Sequence, residues 1–172
     1  MYILAKVTGK GAFRLTRITT FLNPWNDPTD TGWQIIQSLY AIGSGGLFGA
    51  GLGESKQKFL YIPEPHNDFI FSILAEELGF IGCAVVIILF AIFIWRGLLI
   101  AMKAPDMFGS MLAVGITSLI GLQAIMNIAV VTSSMPNTGI PLPFFSYGGT
   151  ALVIVLCAVG ILLNISRSSK KV

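Results

Sequence analysis

The stretch Tyr61-Ile-Pro-Glu-Pro-His-Asn-Asp-Phe-Ile-Phe71, continued by Ala75-Glu-Glu-Leu-Gly79, decides how this chain is organised. It lies where a long polar, glycine-rich segment gives way to strongly apolar sequence. Asp68 stands at the mouth of the first apolar run. A carboxylate in that place either caps the helix or has a functional role such as catalysis.

The composition around this stretch is that of a membrane protein. Of the 172 residues, 54% are hydrophobic and 11% are charged, whereas soluble domains carry about 25% charged residues. The net charge of +3 comes from dispersed Lys and Arg, so nothing supports nucleic-acid binding. Cys83 and Cys157 both fall inside apolar runs, where they are typical of small apolar side chains rather than metal ligands.

Three apolar runs, at about 78–100, 108–131 and 147–165, each approach the ~20 residues that cross a membrane. They predict an all-α polytopic membrane protein with three transmembrane helices after a long extracellular loop segment containing short helices. We expect residues 1–68 to hold the stub of a preceding helix plus that loop. Residues 69–172 then form the three-span region with a cytoplasmic tail. No cleavable signal is visible, and the polar opening suggests the later part of a longer protein.

The orientation follows from the basic residues Arg167, Lys170 and Lys171 at the C-terminus, which should be cytoplasmic. The uncharged loop 132–146 and the long N-terminal segment then face outside. The N-terminal segment is basic, but segments longer than about 60 residues largely escape the positive-inside rule.

Before the first apolar run, a short helix is predicted at 34–41, followed by six glycines between Gly43 and Gly53. The glycine spacing fits neither a Walker A loop nor a dinucleotide fingerprint. One interpretation is backbone packed closely against neighbouring helices. The other is backbone N–H groups near a phosphate, helped by Lys56 and Lys58.

Acidic residues mark the start of the first span. Asp68, Ser72 and Glu76 are four residues apart and should share one helical face, with Glu77 about 100° away. Carboxylates at a membrane interface usually face protein or a wet cavity and indicate function. The alternative for Asp68 is a helix N-cap. For Glu76 and Glu77, hydrogen bonding between helices is the favoured interpretation.

Two further residues precede the span. Glu64 lies between Pro63 and Pro65, which hold the backbone extended and fix the direction of the carboxylate. His66 is the only histidine, and a lone one is more often a polar contact than a metal ligand.

The second span and the loop after it carry the remaining polar signals. Gln123 and Asn127 lie four residues apart and are predicted to hold helices together. The stretch Met135-Pro-Asn-Thr-Gly-Ile-Pro-Leu-Pro-Phe-Phe-Ser-Tyr-Gly-Gly149 is irregular yet apolar, so it should be buried or line a cavity. Ser146 is predicted to cap the third span. This loop and Asp68 face the same side, which suggests one site.

Several of these motifs together resemble the SEDS family of bacterial envelope proteins, the FtsW/RodA/SpoVE group. They are Gly49-Ala-Gly-Leu-Gly53, Pro63-Glu64, Asp68-Phe-Ile-Phe71, Glu76-Glu-Leu-Gly79 and Pro141-Leu-Pro-Phe-Phe-Ser-Tyr-Gly-Gly149. Gln57-Lys58 is closest to the FtsW/SpoVE branch. The resemblance covers the C-terminal part of such proteins.

The resemblance implies a multi-pass protein of the bacterial cytoplasmic membrane that polymerises lipid II into glycan strands, in cell division or sporulation. Its implied partners are membrane lipid and a class B penicillin-binding protein, a transpeptidase. Asp68 matches the essential acidic residue and would be the general base. The implied substrate-binding residues are Lys56, Lys58, Glu64, His66, Ser146 and Gly148.

The leaving lipid diphosphate needs positive charge, which Lys56, Lys58 or a divalent cation such as Mg would supply. Two other functions stay open. One is a transporter (flippase) of lipid-linked precursors, whose polar residues would continue through all the spans. The other is a non-catalytic scaffold of the cell-wall machinery, with Asp68 only a cap.

Overall fold

The computed structural model describes residue 21 and residues 24–26, 32–54 and 68–168. Over these ranges the chain is helical and contains no strand, which confirms the all-α prediction. After a short 3₁₀ turn, Pro24–Asn26, the helices are α1 Trp33–Gly45, α2 Ile70–Met102, α3 Met107–Val131 and α4 Gly149–Ser168.

Helices α2, α3 and α4 are each long and apolar enough to cross a membrane. The second and third predicted spans lie within three residues of α3 and α4 at both ends. The first predicted span corresponds to the part of α2 that follows a break at Gly79, and α2 itself begins earlier, at Ile70. Polar residues such as Ser72 and Glu76 lower the hydropathy of this first part without interrupting the helix.

Helix α2 is broken at Gly79, whose φ of 66° and ψ of −165° are not helical. Only glycine adopts this conformation readily. The part of α2 after the break is about 34 Å long at about 1.5 Å per residue, enough to cross the hydrocarbon core by itself. The break therefore divides α2 into a short first helix, which carries Ser72, Glu76 and Glu77, and a second helix that is the membrane span.

The glycine-rich segment after α1 satisfies the backbone groups that the break releases. Ala50 N and Gly51 N donate to the carbonyls of Glu76 (2.9 Å) and Glu77 (3.1 Å). In return, Phe80 N donates to Gly46 O (2.9 Å), and Ile81 N donates to Leu47 O (3.3 Å).

This pairing supports the close-packing interpretation of the glycines. A Cβ on Gly45 would overlap the Ala75 carbonyl, and a Cβ on Gly49 would overlap the Glu77 carbonyl. The N–H groups of Ala50 and Gly51 already have carbonyl partners. The lysines of the phosphate interpretation, Lys56 and Lys58, lie outside the described residues.

The core lies between α2 and α3, which share the most extensive helix interface. Gly97 lets the two helices approach closely, since a Cβ there would overlap Thr117. Ala113 and Ile120 are fully buried in this interface. Helix α4 packs mainly on α3 and leaves most of its apolar side chains exposed, as expected for a helix that meets lipid or further protein.

Helix α1 is joined to the far end of α3 by a buried hydrogen bond. The Ser38 hydroxyl donates to the Val131 carbonyl over 2.7 Å, and Ser38 is fully buried. This bond brings the glycine-rich segment, which follows α1, to the end of the bundle where α2 begins.

Replacing Gly79 by alanine should destabilise the fold by about 1–3 kcal/mol, because the backbone conformation is unfavourable for other residues and a Cβ would overlap Gly49 and Leu47. The measurement is thermal unfolding of the purified protein in detergent. The matched control is Gly115→Ala, on α3, where no atom lies within 4 Å of the added Cβ. That variant should be neutral or up to about 1 kcal/mol more stable. Equal stability of the two variants would show that residue 79 does not need to be glycine for the break to form.

Candidate functional site

A cavity of about 420 Å³ lies at the end of the bundle where α2 and α4 begin. Its walls are mostly apolar and come from α3, α4 and the loop between them, which we call the cover loop (residues 132–148). The polar side chains that line it are Asp68, Gln123, Ser146 and Tyr147. The volume is within the range of about 300–1,000 Å³ typical of small-ligand sites.

Asp68 is the one acidic residue of the cavity lining. It directly precedes Phe69, the N-cap residue of α2, whose side chain makes no capping hydrogen bond. Asp68 is partly buried, and its carboxylate lies close to Gly139. A Cβ on Gly139 would be 3.3 Å from Asp68 Oδ2, and Gly139 has a φ of +67°. The cover loop therefore approaches the carboxylate as closely as glycine permits.

Asn127 connects the cover loop to the residue that carries this carboxylate. Its Nδ2 donates to the Asp68 carbonyl (2.9 Å) and to the Ile140 carbonyl (2.8 Å). Asn127 is 1% exposed, so both bonds are shielded from solvent. The prediction that this amide joins structural elements is confirmed. Its Oδ1 is buried and has no hydrogen-bond partner among the described residues.

Gln123 behaves differently, although it lies one turn away on the same helix. It lines the cavity, and no hydrogen bond from its amide joins two helices in the described part of the chain. Its side chain lines the cavity between α3 and α4, so within the described residues the prediction that Gln123 holds helices together is not tested.

The cover loop folds back on itself and on α2. The Ser146 hydroxyl accepts a hydrogen bond from Leu142 N (2.7 Å), and Leu142 is 1% exposed. Ser146 was predicted to cap the third span; that prediction is wrong, because α4 begins three residues later, at Gly149, and the hydroxyl closes a turn within the loop. Ser146 and Gly148 nevertheless line the same cavity as Asp68.

Aromatic contacts hold the cover loop on α2. The rings of Phe144 and Phe145 each lie 6.3 Å from the ring of Phe90, and Phe144 lies 6.1 Å from Phe93. These separations are in the range of favourable aromatic pairs. The apolar irregular loop is thus packed against protein and lines a cavity, as its composition predicted.

A second polar connection joins the cover loop to α1. Asn137 Nδ2 donates to Gln34 Oε1 over 3.2 Å. Asn137 Oδ1 accepts from Gly139 N over 3.1 Å, which shapes the turn beside Asp68. Helices α1, α2 and α3 therefore all contribute to the position of this loop.

Of the predicted acidic stripe, only Asp68 reaches the cavity. The Ser72 hydroxyl donates to the Phe69 carbonyl (2.7 Å) inside the first turn of α2. Glu76 is 4% exposed and is not part of the cavity lining. Glu77 Oε1 is buried and has no hydrogen-bond partner within the described ranges.

The remaining predicted site residues, Lys56, Lys58, Glu64 and His66, lie outside the described residues. In the part of the chain that the structure describes, no three His, Cys, Asp or Glu side chains come together to hold a metal ion.

Three helices long and apolar enough to cross a membrane define the class of the chain, a polytopic membrane protein. The chain belongs to the SEDS family: residues 1–171 match the FtsW/RodA/SpoVE family, described as "Cell cycle protein".

Two curated relatives illustrate this membership. Over 92% of its length the chain is 60% identical to stage V sporulation protein E of Bacillus subtilis (strain 168), and it covers 43% of that protein. It is 57% identical to a probable peptidoglycan glycosyltransferase FtsW of Geobacter sp. (strain M18), covering 90% of this chain and 42% of the relative. The chain thus spans less than half the length of either relative.

Solved structures share the fold. A chain from the work "Structural coordination of polymerization and crosslinking by a peptidoglycan synthase complex" superimposes with a TM-score of 0.70 at 28% identity. That match covers 91% of this chain and 42% of the other. The rod shape determining protein RodA of Thermus thermophilus gives a TM-score of 0.58 at 33% identity, covering 78% and 40%.

Replacing Asn127 by leucine should destabilise the protein by about 2–4 kcal/mol, because two hydrogen bonds are lost and two carbonyls are left without partners. Hydrogen exchange in the cover loop should rise as well, since the loop loses its bond at Ile140. Thermal unfolding and hydrogen-exchange mass spectrometry measure both effects. The matched control is Gln123→Leu on the same helix, which should leave both unchanged. If both variants behave alike, the amide of Asn127 does not hold the loop.

Proposed function

We propose that this protein is a peptidoglycan glycosyltransferase of the FtsW/SpoVE type, which joins lipid II molecules into glycan strands. The observation that carries the proposal is the carboxylate of Asp68, the one acidic side chain of a mostly apolar cavity, against the cover loop at Gly139. The relatives named as probable peptidoglycan glycosyltransferases support the reaction class.

The chemistry requires one proton transfer and one displacement. The Asp68 carboxylate takes the proton of a sugar hydroxyl as that oxygen attacks the anomeric carbon of a second, lipid-linked sugar. A C–O bond forms to the attacking oxygen while the bond between the anomeric carbon and the diphosphate breaks. The lipid diphosphate leaves with the electron pair, and a single displacement inverts the anomeric configuration.

The shape of the cavity supports a substrate that is half sugar and half lipid. Asp68 and the polar side chains of the cover loop line one end of it, Gln123 lies about one helical turn further along α3, and the remaining walls are apolar side chains of α3 and α4. A lipid chain can lie between these two helices while the sugars stay near Asp68. The charge of the leaving diphosphate would be met by Lys56 and Lys58, which precede this region in the sequence.

The proposed location is the bacterial cytoplasmic membrane, with the cavity on the outer side. Arg96 and Lys103 near the end of α2, and Arg167 at the end of α4, belong to the opposite end of the bundle, which by the positive-inside rule faces the cytoplasm. The relative from a peptidoglycan synthase complex supports a class B penicillin-binding protein as partner.

The transporter hypothesis requires polar groups along a path through the bilayer. In the described residues, the polar lining of the cavity is confined to one end, and the lower walls are apolar. This distribution favours chemistry at the membrane surface over transport.

Replacing Asp68 by asparagine should lower lipid II polymerisation by about 10²–10⁴-fold, because an amide cannot accept the proton. The fold should persist, since the hydrogen bond from Asn127 goes to the backbone carbonyl of residue 68. Polymerisation is measured by the length of glycan strands made from purified lipid II, with the partner transpeptidase present.

The matched control is Asp106→Asn at the N-terminus of α3, where the carboxylate caps the helix by accepting from Gly109 N (2.7 Å). Asparagine caps about as well as aspartate, so this variant should keep its activity. Polymerisation that survives in Asp68→Asn would disprove the base assignment. Loss of activity in both variants would point to general sensitivity to lost charge.

A further inference from the structure

We propose that Gln123 binds the phosphate that joins the lipid chain to the sugar, donating a hydrogen bond from Nε2 to a phosphate oxygen. This inference rests on the proposed function, because it names the part of a lipid-linked sugar that a residue of the same cavity recognises. Its evidence is the place of Gln123 on α3, one helical turn from the residue that binds the backbone of Asp68.

Among the described residues, no hydrogen bond joins the Gln123 side chain to another part of the chain. It is partly buried and lines the cavity, while Asn127, one turn away, uses its Nδ2 in two hydrogen bonds of 2.9 and 2.8 Å. A primary amide costs free energy when it is withdrawn from water without a partner, so most buried polar groups are hydrogen-bonded. An amide that faces a cavity instead is placed to bind what enters it.

The position of Gln123 along α3 decides which part of the ligand it meets. Asn127 binds the backbone of Asp68, and Gln123 precedes it by four residues, about 6 Å further into the bundle. One more turn along the same face, the lining becomes apolar at Leu119 and Ile120. The opposite wall, at Ile154, Val155 and Ala158, is apolar too.

The order of chemical groups along the cavity is therefore carboxylate, amide, apolar wall. A lipid-linked sugar has the same order: sugar, phosphate, hydrocarbon chain. If the reacting sugar lies at Asp68 and the chain lies between α3 and α4, the phosphate comes beside Gln123.

A neutral amide suits this place. It donates hydrogen bonds to phosphate oxygens without carrying a charge into the apolar part of the bilayer, where an unpaired Lys or Arg is costly. Hydrogen bonds to a charged partner are stronger than those between neutral groups, so the amide adds to the preference for a phosphorylated ligand over the corresponding alcohol, while the net charge of the diphosphate is met by Lys56 and Lys58 as proposed above.

The test compares two ligands that differ only at the phosphate: a polyprenyl diphosphate and the polyprenol of the same chain length. Binding of each to the purified protein in lipid nanodiscs is measured by microscale thermophoresis. The unaltered protein should prefer the diphosphate. Gln123→Leu should bind the diphosphate about 10-fold more weakly and the polyprenol as before. Gln123→Glu should weaken diphosphate binding further through like-charge repulsion.

The matched control is Ser118→Leu, which also replaces a polar residue of α3 by leucine but on an exposed face away from the cavity. It should bind both ligands like the unaltered protein. The inference is overturned if Gln123→Leu keeps the preference for diphosphate, if it loses affinity for both ligands equally, or if the unaltered protein binds neither.

These outcomes are separate from the test of the proposed function. Asp68→Asn should keep the diphosphate preference, because the phosphate contact lies on α3. An unchanged preference in Gln123→Leu, with polymerisation abolished in Asp68→Asn, overturns the phosphate contact alone. Polymerisation that survives in Asp68→Asn, with the preference lost in Gln123→Leu, overturns the base assignment and leaves a lipid-phosphate binding site.

Discussion

Backbone hydrogen bonds between the glycine-rich segment and the break in α2 are the constraint on which the rest of the structure depends. A helix that breaks at a membrane boundary leaves carbonyls and N–H groups without partners, and in lipid each such group costs several kcal/mol. The segment at 46–51 supplies partners on both sides of Gly79. Close approach is possible because Gly45 and Gly49 have no Cβ. Because of the break, the polar first part of α2 and its apolar membrane span follow each other directly in the chain.

The cavity depends in turn on one buried amide. Asn127 holds the backbone at Asp68 and the backbone at Ile140 at the same time, so the start of α2 and the cover loop keep a common position. Phenylalanines of the loop add apolar contact with Phe90 and Phe93. The site is therefore assembled from three parts of the chain that are far apart in sequence. The two amides on α3 therefore differ in their surroundings. Asn127 donates hydrogen bonds to two backbone carbonyls, whereas Gln123 lines the cavity, where we propose that it binds a ligand.

Much of the architecture could be predicted from local patterns. The spans of α3 and α4 follow directly from hydropathy, because crossing lipid demands a run of apolar residues whatever its neighbours are. That the cover loop and Asp68 share one end follows from the alternation of three helices, and the structure confirms it by placing Asp68, Ser146 and Gly148 around one cavity. Hydropathy alone finds only the later part of α2, because it measures lipid exposure and the first turns carry Ser72 and Glu76, which are buried in protein. The role predicted for Ser146 as a cap failed because its hydroxyl found a nearer donor, Leu142 N.

The sequence by itself determined the class of the protein, the number of apolar helices in the region described and the family. These features depend on composition and on short motifs, which one segment carries alone. Tertiary structure decided the contacts between distant segments: which glycines close the break at Gly79, that Asn127 rather than Gln123 joins the loop to Asp68, and that Gln123 faces the cavity. Two amides one turn apart are equivalent in a linear pattern. Only the packing of α4 and the cover loop around α3 determines which of them meets a backbone carbonyl and which meets open space.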